Sequence, residues 1–268
     1  MKQTTAKVIS NEKILKELER PGARNTLGSW LIWLRCPEIA RQAQPGQFLM
    51  VRCGEGVEYQ LRRPLSIHRT EGNKLSLLFN VVGKGTQWLS QCQAGEKIDL
   101  LGPLGNSYEI YPGSKKLLLA AGGIGIAPLA FLAGEAVRQG KEITLLLGAA
   151  TARQLYPSSL LPAKVKLITA TEDGSGGKKG MITDILGDFT GGADQVFACG
   201  PLPMYKTMAP MPELKDKPVQ VSLEVRMGCG LGICYGCTVK TINGLKQACK
   251  HGPIFNLEEV LWDKLADI

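Results

Sequence analysis

Histidine is scarce in this sequence: His68 and His251 are the only two among 268 residues. No acid–base pair is read from so little, both rings are expected to be structural, and no catalytic side chain is assigned. Long apolar runs are missing too. Nothing approaches the roughly 20 residues needed to span a bilayer, and the opening MKQTTAKVIS lacks the apolar core of a secretory signal. A cytoplasmic location without membrane association is therefore expected. There are no repeats and no low-complexity tract, so nothing suggests a solenoid or a disordered arm. Basic residues outnumber acidic ones, 32 against 24, yet they form no block or stripe. That balance fits anionic ligands or an acidic partner and gives no reason to expect nucleic acid.

What is present divides into three segments. Residues 1–110 read as short strands broken by turn residues, among them SWLIWLRC, QFLMVRCG, RPLSIHRT, KLSLLFNVV and KIDLLGPLG. Several alternate apolar and polar residues at period two, the pattern of half-buried antiparallel strands, and many such strands must close into a small barrel to hide their edges. One helix is expected at TQWLSQC, with Thr86 as its N-cap. Residues 111–222 change to strands alternating with helices: KKLLLAA, EITLLLGA, VKLITATE, QVFACG and VQVSLE, with helical patterns at IAPLAFLAGEAVRQGK, MITDILGDF and LPMYKTMA. That alternation means a parallel sheet covered by helices. Residues 223–268 hold a cysteine cluster and a short helical tail, NLEEVLWDKLA. The fold class is thus a multi-domain β-barrel plus α/β protein with a small C-terminal lobe.

In a reducing compartment an even cysteine count is no sign of disulfides, and clustered cysteines point to metal or redox chemistry. Cys36, Cys53, Cys92 and Cys199 are spread out and suit small buried hydrophobes. Cys229, Cys234, Cys237 and Cys249 are separated by four, two and eleven residues. The first two intervals reproduce the plant-type [2Fe–2S] spacing, with a fourth thiolate arriving from elsewhere. Gly228, Gly230, Gly232 and Gly236 let the backbone wrap closely and turn N–H groups toward sulfur. A four-cysteine zinc site and a redox dithiol stay as alternatives. The first lacks a second C-x2-C knuckle, and the second leaves Cys229 and Cys249 without a role.

Two stretches look like anion cradles. AAGGIGIAP, with Gly122, Gly123 and Gly125, follows a strand and opens a helix, so its N–H groups and the helix dipole face an anion. GGIG, GAAT, TEDG and ACGP all fall at carboxyl ends of parallel strands, the edge where open α/β sheets bind ligands. Cys199 of ACGP is expected to line that crevice, or else to be a buried structural thiol. In the barrel, Arg63 and Ser66 of RRPLSIH could meet a second phosphate beside NVVGKGTQ, where Gly83, Gly85 and Thr86 lead into a helix.

On these residues the chain resembles the ferredoxin–NADP reductase superfamily: RPLS looks like its flavin-binding signature, GGIGIAP its NAD-phosphate loop, CGP its nicotinamide-side turn and PGQF its barrel strand. SLEVRMGCGLGICYGC with CKHGPIF narrows the likeness to the electron-transfer subunits of NAD-dependent, two-subunit bacterial dihydroorotate dehydrogenases, which serve pyrimidine biosynthesis. The resemblance implies an FAD-binding barrel (1–110), an NAD(H)-binding α/β domain (111–222) and a cluster-binding lobe (223–268). It carries FAD contacts onto Arg63, Pro64, Leu65, Ser66, Asn80, Val81, Val82, Gly85 and Thr86. NAD(H) contacts fall on Gly122, Gly123, Gly125, Cys199, Gly200 and Pro201, and cluster ligation on Cys229, Cys234, Cys237 and Cys249. It also implies an FMN-containing catalytic partner, in a heterotetramer, that oxidises dihydroorotate. Related subunits of electron-bifurcating transhydrogenases carry aspartate at the first cluster position, where this chain has Cys229. Sulfide- or hydrogen-linked reductases with the same cofactors, and a zinc-stapled nucleotide-binding regulatory module, are the rival readings. The match departs over residues 12–29, which look longer than the family's first hairpin.

Overall fold

A computed structural model describes residues 2–15 and 26–265. Residues 16–25, the middle of the 12–29 stretch, therefore lie outside the described residues. The chain begins with β1 (Lys2–Leu15), β2 (Ser29–Arg35), the short α1 (Pro37–Ala40), β3 (Phe48–Val51), β4 (Arg63–Glu71), β5 (Lys74–Asn80), α2 (Lys84–Gln91) and β6 (Lys97–Leu104). The six strands close into a barrel in the order β1-β2-β5-β4-β3-β6, and every pair is antiparallel. The period-two reading holds along β6, where Ile98, Leu100, Gly102 and Leu104 are buried and the residues between them are not. Closure leaves no bare edge among these strands.

The α/β unit follows with β7 (Lys116–Gly122), α3 (Ile126–Arg138), β8 (Glu142–Ala149), β9 (Val165–Thr171), β10 (Lys178–Lys179), α4 (Ile182–Thr190), β11 (Gln195–Cys199), α5 (Leu202–Met208) and β12 (Val219–Ser222). β7 buries five successive residues, Leu117–Ala121, as a strand covered on both faces must. Gly140, just past the end of α3, adopts φ +74°, the left-handed conformation that ends a helix without steric penalty. The last segment contributes β13 (Thr238–Thr241), β14 (Gly244–Gln247), α6 (Ala248–His251) and β15 (Ile254–Asn256). β15 joins the α/β sheet, antiparallel to β12, giving the order β10-β9-β8-β7-β11-β12-β15.

The structure departs from the sequence reading in four places. Gly83, not Thr86, is the N-cap of α2. Thr86 sits inside the first turn, where its Oγ1 accepts the Val82 N–H at 3.0 Å and donates to the Gly83 carbonyl at 3.1 Å. The tail is not an α-helix: it forms 3₁₀ turns at Leu257–Glu259 and Trp262–Lys264. Tertiary contact wins there over local helicity, because the Trp262 indole N–H donates to the Leu257 carbonyl at 2.8 Å and the ring stacks on Tyr205. EDGSGGKKG, the nearest thing to a flexible loop in the sequence, is a turn whose two lysines, Lys178 and Lys179, form β10. The β13–β14 hairpin was not foreseen, although Asn243-Gly244 is the turn chemistry that announces one.

Barrel and sheet are packed together through one helix. Phe131 of α3 is fully buried within the barrel's own apolar cluster, beside residues of β2, β4 and β5. The C-terminal segment is fixed as firmly. Asn106 donates from Nδ2 to the Ile254 carbonyl at 2.8 Å and accepts the Ile254 N–H at 2.9 Å, and its own N–H reaches the Gly252 carbonyl at 2.8 Å.

Candidate functional site

A cleft of about 550 Å³ opens along the carboxyl edge of the parallel strands, with the barrel as its opposite wall. The sheet side presents Gly122 and Gly123 after β7, Gly148 at the end of β8, Glu172 after β9 and Pro201 after β11, while the barrel presents Ser29, Leu78 and Asn80. The three glycines of GGIG have different tasks. A Cβ on Gly125 would stand 2.0 Å from the Cys199 carbonyl oxygen, and one on Gly122 would stand 2.9 Å from Pro201. Both therefore permit the ends of β7 and β11 to close on each other. Gly123, at φ +56°, has nothing within 4 Å of where its Cβ would be, so its face is the open one. α3 starts directly after it, with its first-turn N–H groups beside the cleft.

Cys199 does not line the cleft. Its side chain is buried in the cluster that packs under α3, and burial, followed by the nearby Glu224 carboxylate, pushes its thiol well above the usual range. The reason is strand alternation: the turn after β11 faces the cleft, while the last strand residue points into the core. Cys36, Cys53 and Cys92 are likewise buried, and burial pushes Cys53 and Cys92 up to about 12. These thiols are packing residues.

Glu224, which the sequence reading passed over, does line the cleft. Its side chain is exposed within the cleft, but the walls around it strip water from the carboxylate, and that desolvation lifts it to about 7. Tyr156 is the other missed wall residue. No local pattern marks either one; only the convergence of β8, β12 and the barrel brings them to the same space.

Of the flavin-signature residues only Asn80 lines the cleft; the others lie on β4, between β5 and α2, and at the start of α2. Arg63 and Pro64 open β4, and Ser66 lies opposite Phe48 of β3. The Arg63 guanidinium lies flat against the first turn of α2, where a Cβ on Gly85 would come within 2.9 Å of its Nε. Glycine there is what allows a guanidinium and a helix N-terminus to face the same anion. Arg62 is engaged in an ion pair with Asp99 at 2.8 Å, whereas Arg63 is steadied by a hydrogen bond from Nη1 to the Leu61 carbonyl at 2.5 Å and keeps its Nε and Nη2 beside Gly85. Asn80 ends β5, and its Oδ1 accepts the Ser29 hydroxyl at 2.6 Å. Val82 is half exposed beside it. Val81 is occupied throughout: its side chain is buried in the barrel, its carbonyl accepts the Leu27 N–H and its N–H donates to the Gly28 carbonyl. A diphosphate flanked by aromatic and ribityl groups fits the chemistry of this cradle.

The cysteine loop lies on the barrel. Gly230, at φ +72°, approaches so closely that a Cβ would stand 2.5 Å from the Met50 side chain, and Met50 of β3 pairs with Pro64 of β4. Backbone N–H groups point at the sulfurs, as the glycine content suggests. Leu231 donates to Cys229 Sγ at 3.3 Å and Gly232 to Cys249 Sγ at 3.1 Å. Burial raises the Cys229 thiol, but the N–H groups of Leu231, Cys234 and Ile233 together outweigh it and bring the thiol down to about 6. Cys249, packed against Cys237, is pushed by burial up to about 12. Among the described residues no three His, Cys, Asp or Glu side chains form a group that could hold a single ion. The fit is therefore judged on the donors: four thiols on one wrapped loop and its neighbour, with N–H groups directed at sulfur, suit a cluster whose negative charge needs such donors.

A family described as the iron–sulfur cluster binding domain of dihydroorotate dehydrogenase B matches residues 224–261. The electron transfer subunit of dihydroorotate dehydrogenase B (NAD(+)) from Desulforamulus reducens is 43% identical over 238 residues, 85% of this chain and 90% of that protein. This chain belongs to the dihydroorotate dehydrogenase B electron transfer subunit family. The counterpart from Caldanaerobacter subterraneus is 37% identical over 83% of this chain and 89% of its own length. Among solved structures, a chain of the electron-bifurcating NADH-dependent reduced ferredoxin–NADP oxidoreductase superposes with a TM-score of 0.84 at 32% identity. The match covers 97% of this chain and 91% of that one. A ferredoxin NADP+ reductase from Neisseria gonorrhoeae, at 18% identity and a TM-score of 0.61 over 77% of this chain and 89% of its own, shares the fold. The dihydroorotate dehydrogenase B family thus sets its cluster segment onto a ferredoxin-reductase frame, and the cleft, the flavin-side cradle and the cysteine loop are the three features of that frame.

Proposed function

We propose that this chain carries electrons between the FMN of a dihydroorotate-oxidising catalytic subunit and NAD+, through a [2Fe–2S] cluster and FAD, in pyrimidine biosynthesis. The observation that supports it most is contiguity. The cysteine loop sits on Met50, Met50 pairs with the strand that opens with Arg63 and Pro64, and the next strand, β5, ends in Asn80 at the wall of the cleft. When bound, FAD supplies the exchange between the two-electron hydride of nicotinamide and the single electrons of a cluster. The residues of the chain bind, orient and exclude water. Arg63 and the first turn of α2 hold a diphosphate, Gly123 and the start of α3 hold the nucleotide's phosphates, and Cys229, Cys234, Cys237 and Cys249 hold iron. Buried Leu104 and Met50 keep water out between the loop and the barrel.

The catalytic partner docks at the cysteine loop, in a heterotetramer. Residues 225–252 contain Arg226, Lys240, Lys246 and Lys250 and no acidic residue. Ile233 and Tyr235 beside the exposed Cys234 are 72% and 64% exposed. Exposed apolar side chains in a segment whose only charges are cationic fit an acid-rimmed partner face. Co-expression with an FMN-containing dihydroorotate-oxidising subunit tests the reading: the joined proteins should reduce NAD+ with dihydroorotate, whereas this chain alone should oxidise NADH with artificial acceptors and leave dihydroorotate untouched. Absence of flavin and cluster absorption from anaerobically purified protein would overturn it in favour of a zinc-stapled module.

A second reading rests on the 32% identity to the bifurcating oxidoreductase chain, with another partner receiving the electrons. Cys229 speaks for the first reading, since related transhydrogenase subunits carry aspartate there. Identifying the protein that co-purifies separates the two.

A further inference from the structure

One buried polar chain crosses from the barrel to the wall of the cleft. His68, in the middle of β4, is 1% exposed. Its Nδ1 lies 3.0 Å from the Ser76 hydroxyl on β5, and its Nε2 lies 2.8 Å from the Tyr156 hydroxyl on the loop after β8. A neutral imidazole donates from one nitrogen and accepts at the other, so a single ring satisfies both hydroxyls. Burial, then the adjacent Arg69, lowers His68 to about 3, which keeps the ring in that neutral form at any working pH.

The same strand grips the same loop a second time. The Arg69 guanidinium donates to the Leu160 carbonyl. On its far side the loop is held by the turn after β9. There Ser175 Oγ accepts the Ala152 N–H at 2.8 Å and donates to Asp173 at 2.7 Å, and Gly176 packs against Ala152 and Leu155. The loop between these anchors presents Gln154 and Tyr156 to the cleft. β4 itself begins with Arg63 and Pro64 at the flavin-side cradle. One strand therefore carries the residues of one cradle at its start and grips the wall of the other at its middle.

We infer that His68 is a positioning residue for the nicotinamide nucleotide: by holding Tyr156 through its hydroxyl, it fixes the loop wall of the cleft to the strand that bears the flavin-side residues. The inference rests on the reading of the cleft as the NAD(H) site. His68 touches no ligand itself. Its effect passes through Tyr156, so it should be felt in nucleotide binding and not in flavin retention.

Tyr156→Phe removes only the hydroxyl and leaves the ring that fills the wall. One buried hydrogen bond corresponds to roughly a two- to tenfold change in an equilibrium constant. In the complete protein the KM for NADH with an artificial acceptor should rise by about fivefold, and the Kd for ADP-ribose should rise in parallel. FAD content and the cluster spectrum should stay as in the parent. His68→Gln, whose amide nitrogen can reach the same hydroxyl, should restore most of the affinity that His68→Leu loses. The doubly substituted His68→Gln, Tyr156→Phe chain should be no worse than Tyr156→Phe alone, because both act through one bond. An unchanged NADH KM and ADP-ribose Kd in Tyr156→Phe would overturn the inference, as would loss of FAD without loss of nucleotide affinity. Failure of the parent protein to bind NADH or ADP-ribose at all would instead overturn the reading of the cleft.

Discussion

At the scale of single residues the two ends of the electron path differ in kind. In the proposed relay the cluster end depends on identity at four positions, since sulfur would be the donor. Cys229→Ser should abolish or reshape the visible and paramagnetic signature of the cluster while leaving FAD bound; an unaltered spectrum would remove Cys229 from the ligand set. The cleft end depends on environment. Glu224, lifted from 4.5 to about 7 by desolvation, stays protonated in the folded protein at pH values where the unfolded chain has already lost its proton. Its contribution to stability is therefore fully present below pH 4.5, falls as the pH rises through about 7, and is flat above that. Glu224→Gln should remove this slope, which denaturant midpoints measured between pH 5 and 8 would show. The cysteine set stands out in the sequence because one residue type recurs there at a spacing that suits cluster ligation. Glu224 was not, because its chemistry is made by neighbours from distant strands.

Elements were legible where burial imposes a period and obscure where tertiary contact overrides local preference. The apolar run of β7 and the alternation of β6 announce a covered parallel strand and a barrel strand respectively. The tail reads as a helix, yet the stacking of Trp262 on Tyr205 holds it in 3₁₀ turns. The glycine loop shows the same limit. Its position after a strand was readable, but two of its three glycines serve the junction of β7 with β11 and one faces the cleft. Gly125→Ala would press a methyl group onto the Cys199 carbonyl. It should destabilise the chain by about 1–3 kcal/mol, the usual cost of overpacking, and raise the KM for NADH. A Gly123→Ala chain, whose Cβ meets open space at a positive φ, should disturb the loop's backbone without that steric clash, and the two denaturation curves compared side by side would separate the effects.

For the whole molecule the governing fact is that, among the described residues, barrel, sheet and C-terminal segment share packed contacts. Phe131 of α3 fills the barrel core, so Phe131→Ala should cost about 3–5 kcal/mol and loosen barrel from sheet, visible as two unfolding transitions where the parent shows one. On the proposed docking, association with the catalytic partner should weaken as salt rises, and Lys246→Glu with Lys250→Glu should slow its formation, since the cysteine segment carries cations and no acidic residue.

β15 carries a consequence for kinetics. Because the strand that follows the cysteine segment is woven into the α/β sheet and pinned by Asn106 to the barrel, the cluster end is no swinging arm that collects electrons in one place and delivers them in another. It is a soldered joint, and on the proposed relay donor and acceptor should keep one separation through turnover. Internal electron transfer should therefore be indifferent to solvent viscosity, and stopped-flow traces in glycerol should overlay those in buffer. For the same reason a chain cut after residue 222 would not yield a clean flavin–nicotinamide module, because β12 would be left with a bare edge where β15 had been.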